Sequence, residues 1–565
     1  MNKNKIFTLC LLSLLTLGSC GEQVEENKIP SYYKDELPEK VSGFEGQTLT
    51  IYNCEDYISS TFDEEEGYID LIALFEYIYD VKVNYYTFDT VETMYNQMNL
   101  QNEGYYDLIC PSDYMIQRLI NEDKLEKMDS TKLDVYNKYA AKNIKTTLDN
   151  MEASVLDENG NKKKLGDYAA GYMWGTMGVI YDPNFVKEED TYSWDVYWDT
   201  DYYKYASIKN SMRDTYVVGI LHAYKDELDS RRNELLNGRK EEDLSKEEYD
   251  EYLDAYSKIV QEVFDRHDEK DIKLVKEELS SLKNNIYGFE VDSGKNDILD
   301  GKIKMNLAWS GDAVYSINEA YSSNEKELYY TVPLEGSNIW YDAWCLPKGS
   351  NKDLSYAFIN FLSDPVYAAA NMNYIGYTSF IASEDVFNTI APWYGATEYY
   401  NDDEYYAIYD DNNELIDASM VHYNNKFYQC IKDSQGNLPT NEEYFEEVSE
   451  EDSPLDESYD LSHYFKDLLP EGKESVIYPF DEYYLNTLEA QYPSVNTIKR
   501  CAVMNDFGDA NDDVVIMWSQ VRAYTNMVPY YVILICCLCS IPLYFIYKIY
   551  QKVNDKKLEK IINNK

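Results

Sequence analysis

Histidine, basic charge and paired cysteines are what this chain has least of. Its four histidines in 565 residues, His222, His267, His422 and His463, fall in expected helices or in an acidic stretch. No His-Glu-x-x-His, Gly-x-Ser-x-Gly or phosphate-loop pattern is present, so no catalytic apparatus is legible and the chain does not read as an enzyme. Lys and Arg number 51 against 103 Asp and Glu, a formal charge of −52. Nucleic-acid binding needs a basic footprint and is excluded. Away from the two ends of the chain the cysteines are Cys54, Cys110, Cys345, Cys430 and Cys501. An odd number gives no complete disulfide framework. None has zinc-site spacing, and no Asp-x-Asp-x-Asp-Gly calcium loop occurs, so neither a metal nor a cofactor is expected. No sustained internal repeat is found.

What is present is apolar and aromatic. Hydrophobic residues make up 44% and aromatics 15%, including 59 Tyr, enough to bury large cores in two to four lobes or domains. The Tyr excess reads either as compositional bias or as a surface that stacks on cations or sugars.

The two ends carry membrane signals. Met-Asn-Lys-Asn-Lys, an apolar run Ile6–Leu17 and Gly18-Ser19-Cys20 form a basic, an apolar and a small-residue region. The cysteine after Leu17-Gly18-Ser19 resembles the bacterial lipobox, which implies a signal peptide over 1–19, lipidation of Cys20 and a polar linker over 20–46. Residues 527–547 are 21 uncharged residues, long enough to cross a ~30 Å hydrocarbon core as a helix. Lysines dominate 548–565, so the positive-inside rule puts that tail in the cytoplasm and residues 21–526 outside the membrane.

Between the ends, the pattern is strand, helix, strand, helix, strand: Thr48–Tyr52, Leu71–Tyr79, Val81–Tyr85, Thr90–Leu100 and Tyr106–Cys110. That order predicts α/β structure with a parallel sheet. Ligands of such sheets sit beyond the C-terminal strand ends, where polar turns follow. Met173–Tyr181 and Trp340–Leu346 read as β segments crossing between lobes. Ser207–Asp214 reads as strand then turn, Met305–Trp309 as a strand ending in Ser310-Gly311-Asp312, and 373–378 as a loop. Asp226–Lys273 reads as a solvated helical hairpin. Residues 381–470 hold 22 acids and 3 bases. They read either as a plain surface insertion or as a small β module of carbohydrate-binding type.

The strand-end turns share a composition: Glu55, Asp56, Asp113, Asp214, Asp312 and Asp342 stand beside Tyr57, Tyr114, Trp309, Trp340 and Tyr377. Carboxylates accept charge-assisted bonds from ammonium groups, and aromatic faces cover methylene stems and attract cations. Each residue alone is explained as core or helix cap. Their recurrence at six turns points to a linear di- or triamine.

Tyr52-Asn-Cys-Glu-Asp-Tyr57, Tyr106-Asp-Leu-Ile-Cys-Pro-Ser-Asp-Tyr114, Trp174-Gly-Thr-Met-Gly-Val179, Ala308-Trp-Ser-Gly-Asp-Ala313, Trp340-Tyr-Asp-Ala343 and Ile375-Gly-Tyr377 together resemble the spermidine/putrescine-binding proteins of ABC importers. The resemblance runs over about Thr48–Phe380 and returns near Lys499–Val521. It implies a type II periplasmic-binding-protein fold of two α/β lobes with hinge strands. Lobe 1 would span about 47–168 and 343–380. Lobe 2 would span about 169–342, carrying the helical insertion 226–273, and 471–526 would return to the solute-binding fold. It implies a polyamine ligand, an ABC permease and its ATPase as partners. Asp56, Tyr57, Ser112 and Tyr114 would lie on the first lobe's side of the cleft. Asp214, Trp309, Trp340 and Asp342 would lie at the second lobe and hinge, with Tyr377 returning from the first. The sequence departs from the family at Cys54 (a tryptophan there), Ser211 (an aspartate) and about Met504 (a glutamine). These losses favour a shorter diamine such as putrescine, or another cationic solute, with Glu55 and Asp113 compensating. The alternative function is a membrane-anchored sensor or adhesion protein that uses the same fold for another cationic or carbohydrate ligand.

Overall fold

Burial along Thr48–Cys54 (β1), Lys82–Phe88 (β2) and Leu108–Ile109 (β3) is set by helices that cover them. Leu71–Tyr79 (α1) buries Leu71, Leu74, Phe75 and Ile78, the i, i+3, i+4, i+7 stripe of a core-facing helix. Asp70 caps it by accepting from the Ala73 N–H at 2.9 Å. Val91–Leu100 (α2) is capped by Thr90, and Asp113–Asn121 (α3) follows β3. The three strands pair in parallel, Thr48 opposite Lys82 and Ile51 opposite Leu108, as the alternating pattern predicts. The computed structural model describes residues 38–62, 68–323, 326–410 and 412–523, with Lys548 and Lys552 besides.

The chain then enters Ala169–Tyr181 (β4), thirteen residues that are all buried. Ala206–Lys209 (β5), Met212–Ala223 (α4), Lys225–Leu236 (α5), Lys246–Phe264 (α6), Glu269–Asn285 (α7), Gly288–Glu290 (β6) and Gly294–Leu299 (α8) follow. Next come Met305–Trp309 (β7), Ser310–Ser322 (α9), Tyr329–Thr331 (β8), Ile339–Cys345 (β9), Lys352–Leu362 (α10), Pro365–Ile375 (α11) and Thr378–Ser379 (β10). All ten strands form one sheet, in the order β2-β1-β3-β9-β4-β7-β5-β6, with β8 and β10 also paired to β4. The outer parts are parallel and the middle is antiparallel, because β4 and β9 run against each other and against their neighbours. The two expected α/β halves are thus stretches of one continuous sheet that share β4 and β9.

Several sequence expectations shift. Asp113, Asp214 and Asp312 lie in the first turns of α3, α4 and α9, not in open turns. Ser112 and Ser211 precede α3 and α4 in extended conformation, so the helices start earlier than the apolar pattern alone indicates. Residues 373–375 continue α11, which Gly376 ends in the left-handed conformation. The charged stretch 226–273 is no solvated hairpin. It belongs to α5–α7, whose last helix runs to Asn285, and Leu253, Val260, Val263, Val275 and Leu279 are buried. A Cβ at Gly219 of α4 would lie 2.9 Å from Val275, so α7 packs directly on α4.

A second sheet has the order Phe445–Glu447 (β14), Lys426–Cys430 (β13), Met420–Tyr423 (β12), Gly395–Glu398 (β11), Val476–Pro479 (β16), Tyr459–Asp460 (β15). It extends past residue 470, because β16 pairs antiparallel with β11. Tyr405, Val421, Tyr428, Cys430 and Phe445 form its own small core. Tyr464 stacks on Trp174 of β4 at 5.4 Å and ties this region to the main sheet. From Asp512 on the chain forms a separate unit. Its helix, Asn511–Arg522 (α12), has Asp512 and Asp513 in the first turn and Arg522 in the last, the arrangement a helix dipole favours. Among the described residues no helix is long and apolar enough to cross a membrane. The expected signal peptide 1–19, Cys20 and the span 527–547 lie outside the described residues.

Candidate ligand-binding site

A cavity of about 520 Å³ opens where the two parallel parts of the sheet meet the crossing strands. Its wall takes residues from the end of β1, the starts of α2, α3 and α4, and the β6–α8 loop. It also takes residues from α8, the β7–α9 junction, β9 and the end of α11. Ten carboxylates line it, against two bases, Arg213 and Lys295, so it is strongly acidic. This is the strand-end location expected for α/β sheets.

Asp342 lines the cavity. It lies on β9, where the alternation of a strand turns it and Trp340 to one face. The Tyr57 hydroxyl donates to Asp342 Oδ2 at 2.7 Å, and Ser112 forms a β-bridge with it. Asp342 Oδ1 is buried and has no hydrogen-bond partner among the described residues. Burial pushes the Asp342 carboxyl up to about 6. The Ser112 and Tyr57 hydroxyls pull it down, and the Asp214 charge pushes it up. Three rings flank it. Tyr377 meets Tyr57 edge-on at 5.1 Å and Trp340 at 5.7 Å. A Cβ at Gly311 would sit 2.2 Å from the Tyr377 ring, and one at Gly175 would sit 2.7 Å from Trp340. Glycine at both positions is what lets these rings seat.

The remaining expected residues divide. Asp214 and Trp309 are together: burial raises the Asp214 carboxyl, and the Ser211 and Trp309 side chains beside it pull the other way. Ser211 is the cap of α4, accepting from the Asp214 N–H at 3.3 Å. Ser112 makes no such capping bond and stands beside Asp342 instead. Asp113 is 2% exposed and is spent on backbone: it accepts from the N–H of Tyr114 at 2.6 Å and of Tyr341 at 3.0 Å. It pins α3 to β9, and burial raises it to about 7, with Asp342 adding to the rise. Tyr114 donates to Glu92 at 3.1 Å and carries the Arg213 guanidinium 3.6 Å from its ring centre, so that face is covered. Glu55 and Asp56 line the mouth, both exposed. Asp56 adopts a left-handed φ of 49°, which Asp tolerates better than most residues.

Sequence reasoning missed three cations. Arg213 is 5% exposed, donates to the Asn505 carbonyl at 2.8 Å and lies over Phe507 at 4.3 Å. Lys209 is 1% exposed at the end of β5, between Asp312 at 2.9 Å and Glu290 at 3.3 Å. Burial alone would raise the Asp312 carboxyl, but Lys209, Lys295 and the Tyr377 hydroxyl outweigh it and hold it low. A lysine inside the buried strand Ala206-Ser-Ile-Lys209 was the available signal for one of these. Lys295 had none. Met504, expected at a glutamine position, lines the cavity, and its N–H reaches Asn338 at 3.3 Å.

Residues 70–396, more than half of the chain, match the family described as bacterial extracellular solute-binding protein. The spermidine/putrescine-binding periplasmic protein of Salmonella typhimurium is 22% identical over 338 residues, covering 59% of this chain and 77% of that protein. The putrescine-binding periplasmic protein of Escherichia coli is 25% identical over 342 residues, covering 59% and 78%. A solved structure from Listeria monocytogenes, described as a spermidine/putrescine ABC transporter, is similar with a TM-score of 0.51 at 19% identity. It covers 84% of this chain and 99% of that one. At that identity the likeness speaks to the fold.

Proposed function

The chain belongs to the family of bacterial extracellular solute-binding proteins, and we propose that it is the capture component of an ABC importer for a linear polyamine. One observation carries this reading: a buried carboxylate oxygen of Asp342 lacks a partner among the described residues, beside Tyr57, Trp340 and Tyr377 and inside an acidic cavity. An ammonium group supplies the missing donor, and the rings cover the alkyl stem. Spermidine and putrescine, for which the similar proteins of Salmonella typhimurium and Escherichia coli are named, agree with that chemistry.

In this proposal Asp342 takes a terminal ammonium, with Tyr57 and Ser112 orienting its carboxylate. Asp214 and Trp309 take an inner or second amine. Trp340, Tyr377 and the free edge of Tyr114 wall the methylenes, and Glu55 gathers cations at the mouth, where Asp56 is paired with Lys295. The two halves of the sheet act as lobes that close on the ligand. A lipid on Cys20 and the uncharged segment 527–547 hold the receptor at the membrane, outside the cell, and keep it near its permease by raising its effective concentration.

The test is equilibrium binding of labelled putrescine, spermidine and spermine to the full chain and to Trp340→Ala. Loss of at least about tenfold in the variant is expected for a buried aromatic anchor. Equal binding by both chains overturns the site. Co-purification of an ABC permease tests the partner, and its failure with intact receptor counts against the docking role.

A further inference from the structure

Lys295 lines the acidic cavity, whereas Lys209 lies behind its wall. Lys209 is fully buried between Asp312 and Glu290 and completes the core around Trp309, whose ring centre lies 4.3 Å from its ammonium. Lys295 projects from α8 along the cavity wall, with a side chain 14% exposed. Its ammonium is 2.9 Å from Asp292 and 3.4 Å from Asp56, and 5.6 Å from the Tyr315 ring centre. Asp292 comes from its own side of the cavity and Asp56 from the turn after β1, across it. Carboxylates on two sides with an aromatic ring nearby are the surroundings that a polyamine terminus seeks.

Among the described residues, Asp312, Asp292 and Asp56 are thus already in ion pairs with lysines, whereas Asp342, Asp214 and Asp113 are in none. Asp113 is spent on the backbone N–H groups of Tyr114 and Tyr341, which leaves Asp342 on β9 and Asp214 at the start of α4 as the acids open to a ligand. The aromatic wall of Tyr57, Tyr377 and Trp340 stands beside them, with Tyr377 donating to Asp312 at 2.8 Å on its other side.

Resting on the polyamine reading, we infer that Lys295 is a specificity-determining residue: a tethered ammonium that fills one end of the cleft and makes the site prefer a short diamine over longer polyamines. A triamine reaching past the wall would bring its far ammonium against a cation that already satisfies Asp56 and Asp292. Rejection by a built-in like charge discriminates between ligands without any new contact to the favoured one.

The experiment is calorimetry of the full chain with putrescine and with spermidine, on wild type, Lys295→Met and Lys295→Arg, each checked for a cooperative melt. Wild type should favour putrescine by about tenfold or more, and Lys295→Met should shrink that ratio by about tenfold through tighter spermidine binding. Lys295→Arg, which keeps the charge, should retain the wild-type preference. Lys295→Gln gives the same readout if the Met variant does not fold. Putrescine binding with an unchanged ratio in the neutral variants, or a wild-type preference for spermidine, overturns the inference alone. No binding of either amine by folded wild type and folded variants overturns the polyamine reading and this inference with it.

Discussion

Replacing Asp342 by Asn should stabilise the ligand-free protein while abolishing capture. The Asp342 carboxyl is raised from 3.8 to about 6, chiefly by burial, so its ionised form is disfavoured in the folded chain. A shift of about two units corresponds to about 3 kcal/mol. The sign follows from linkage: an acid raised by folding adds stability that is present below its unfolded value and lost as pH rises through the folded one. The cost of carrying Asp342 is therefore absent below about pH 4, roughly half developed at pH 5 and complete above about pH 7. Asn removes that cost and still accepts from the Tyr57 hydroxyl, which lies 2.7 Å from Oδ2. The expected gain is about 3 kcal/mol at pH 7.5, falling to about half of that at pH 5. Denaturant melts of both chains at the two pH values measure it, and labelled putrescine on the same samples measures the loss of binding. A variant less stable than wild type at pH 7.5, or a gain that does not change with pH, refutes the reasoning. Stability given up at a binding residue is the usual cost of keeping a site ready.

Putrescine affinity should fall about tenfold between pH 7 and pH 5, because an Asp342 titrating near 6 must be ionised to hold an ammonium; pH-independent calorimetric affinity would speak against that role. Gly311→Ala should disturb the wall, since its Cβ would meet the Tyr377 ring at 2.2 Å. A loss of about 1–3 kcal/mol in melts and weaker putrescine binding are expected, and a neutral result would mean that the ring moves freely. Association should slow steeply with salt, since ten carboxylates line the cavity against two bases; stopped-flow rates unchanged from low to high salt would exclude steering. Small-angle scattering should show compaction with putrescine, and none would count against closure of the two halves.

The elements were legible where one periodicity dominates. Leu71–Tyr79 and Met305–Trp309 have in the structure the bounds that their apolar patterns give. The starts of α3, α4 and α9 were not, because Ser112, Ser211 and Trp309 lie in extended backbone while the acids that follow them read as turn residues. The stripe at Leu253, Val260 and Val263 was visible, but its partner α4 is far enough in sequence that only tertiary packing reveals the burial. At the site, the clustering of Tyr57, Trp340, Asp342 and Tyr377 follows from motifs that end strands and helices at one edge. The pairing of Asp312 with Lys209 and of Asp56 with Lys295, and the covering of the Tyr114 face by Arg213, depend on side-chain reach between elements distant in sequence. Composition counts acids and bases but does not show which of them are paired.

The central claim is that Asp342 and its three rings capture a short linear amine, and calorimetry of the folded full chain with putrescine at pH 7.5 tests it most directly. The account predicts saturable one-to-one binding, micromolar or tighter, that is absent in Asp342→Asn. No heat of binding with putrescine, spermidine or spermine from a cooperatively folded protein would contradict it.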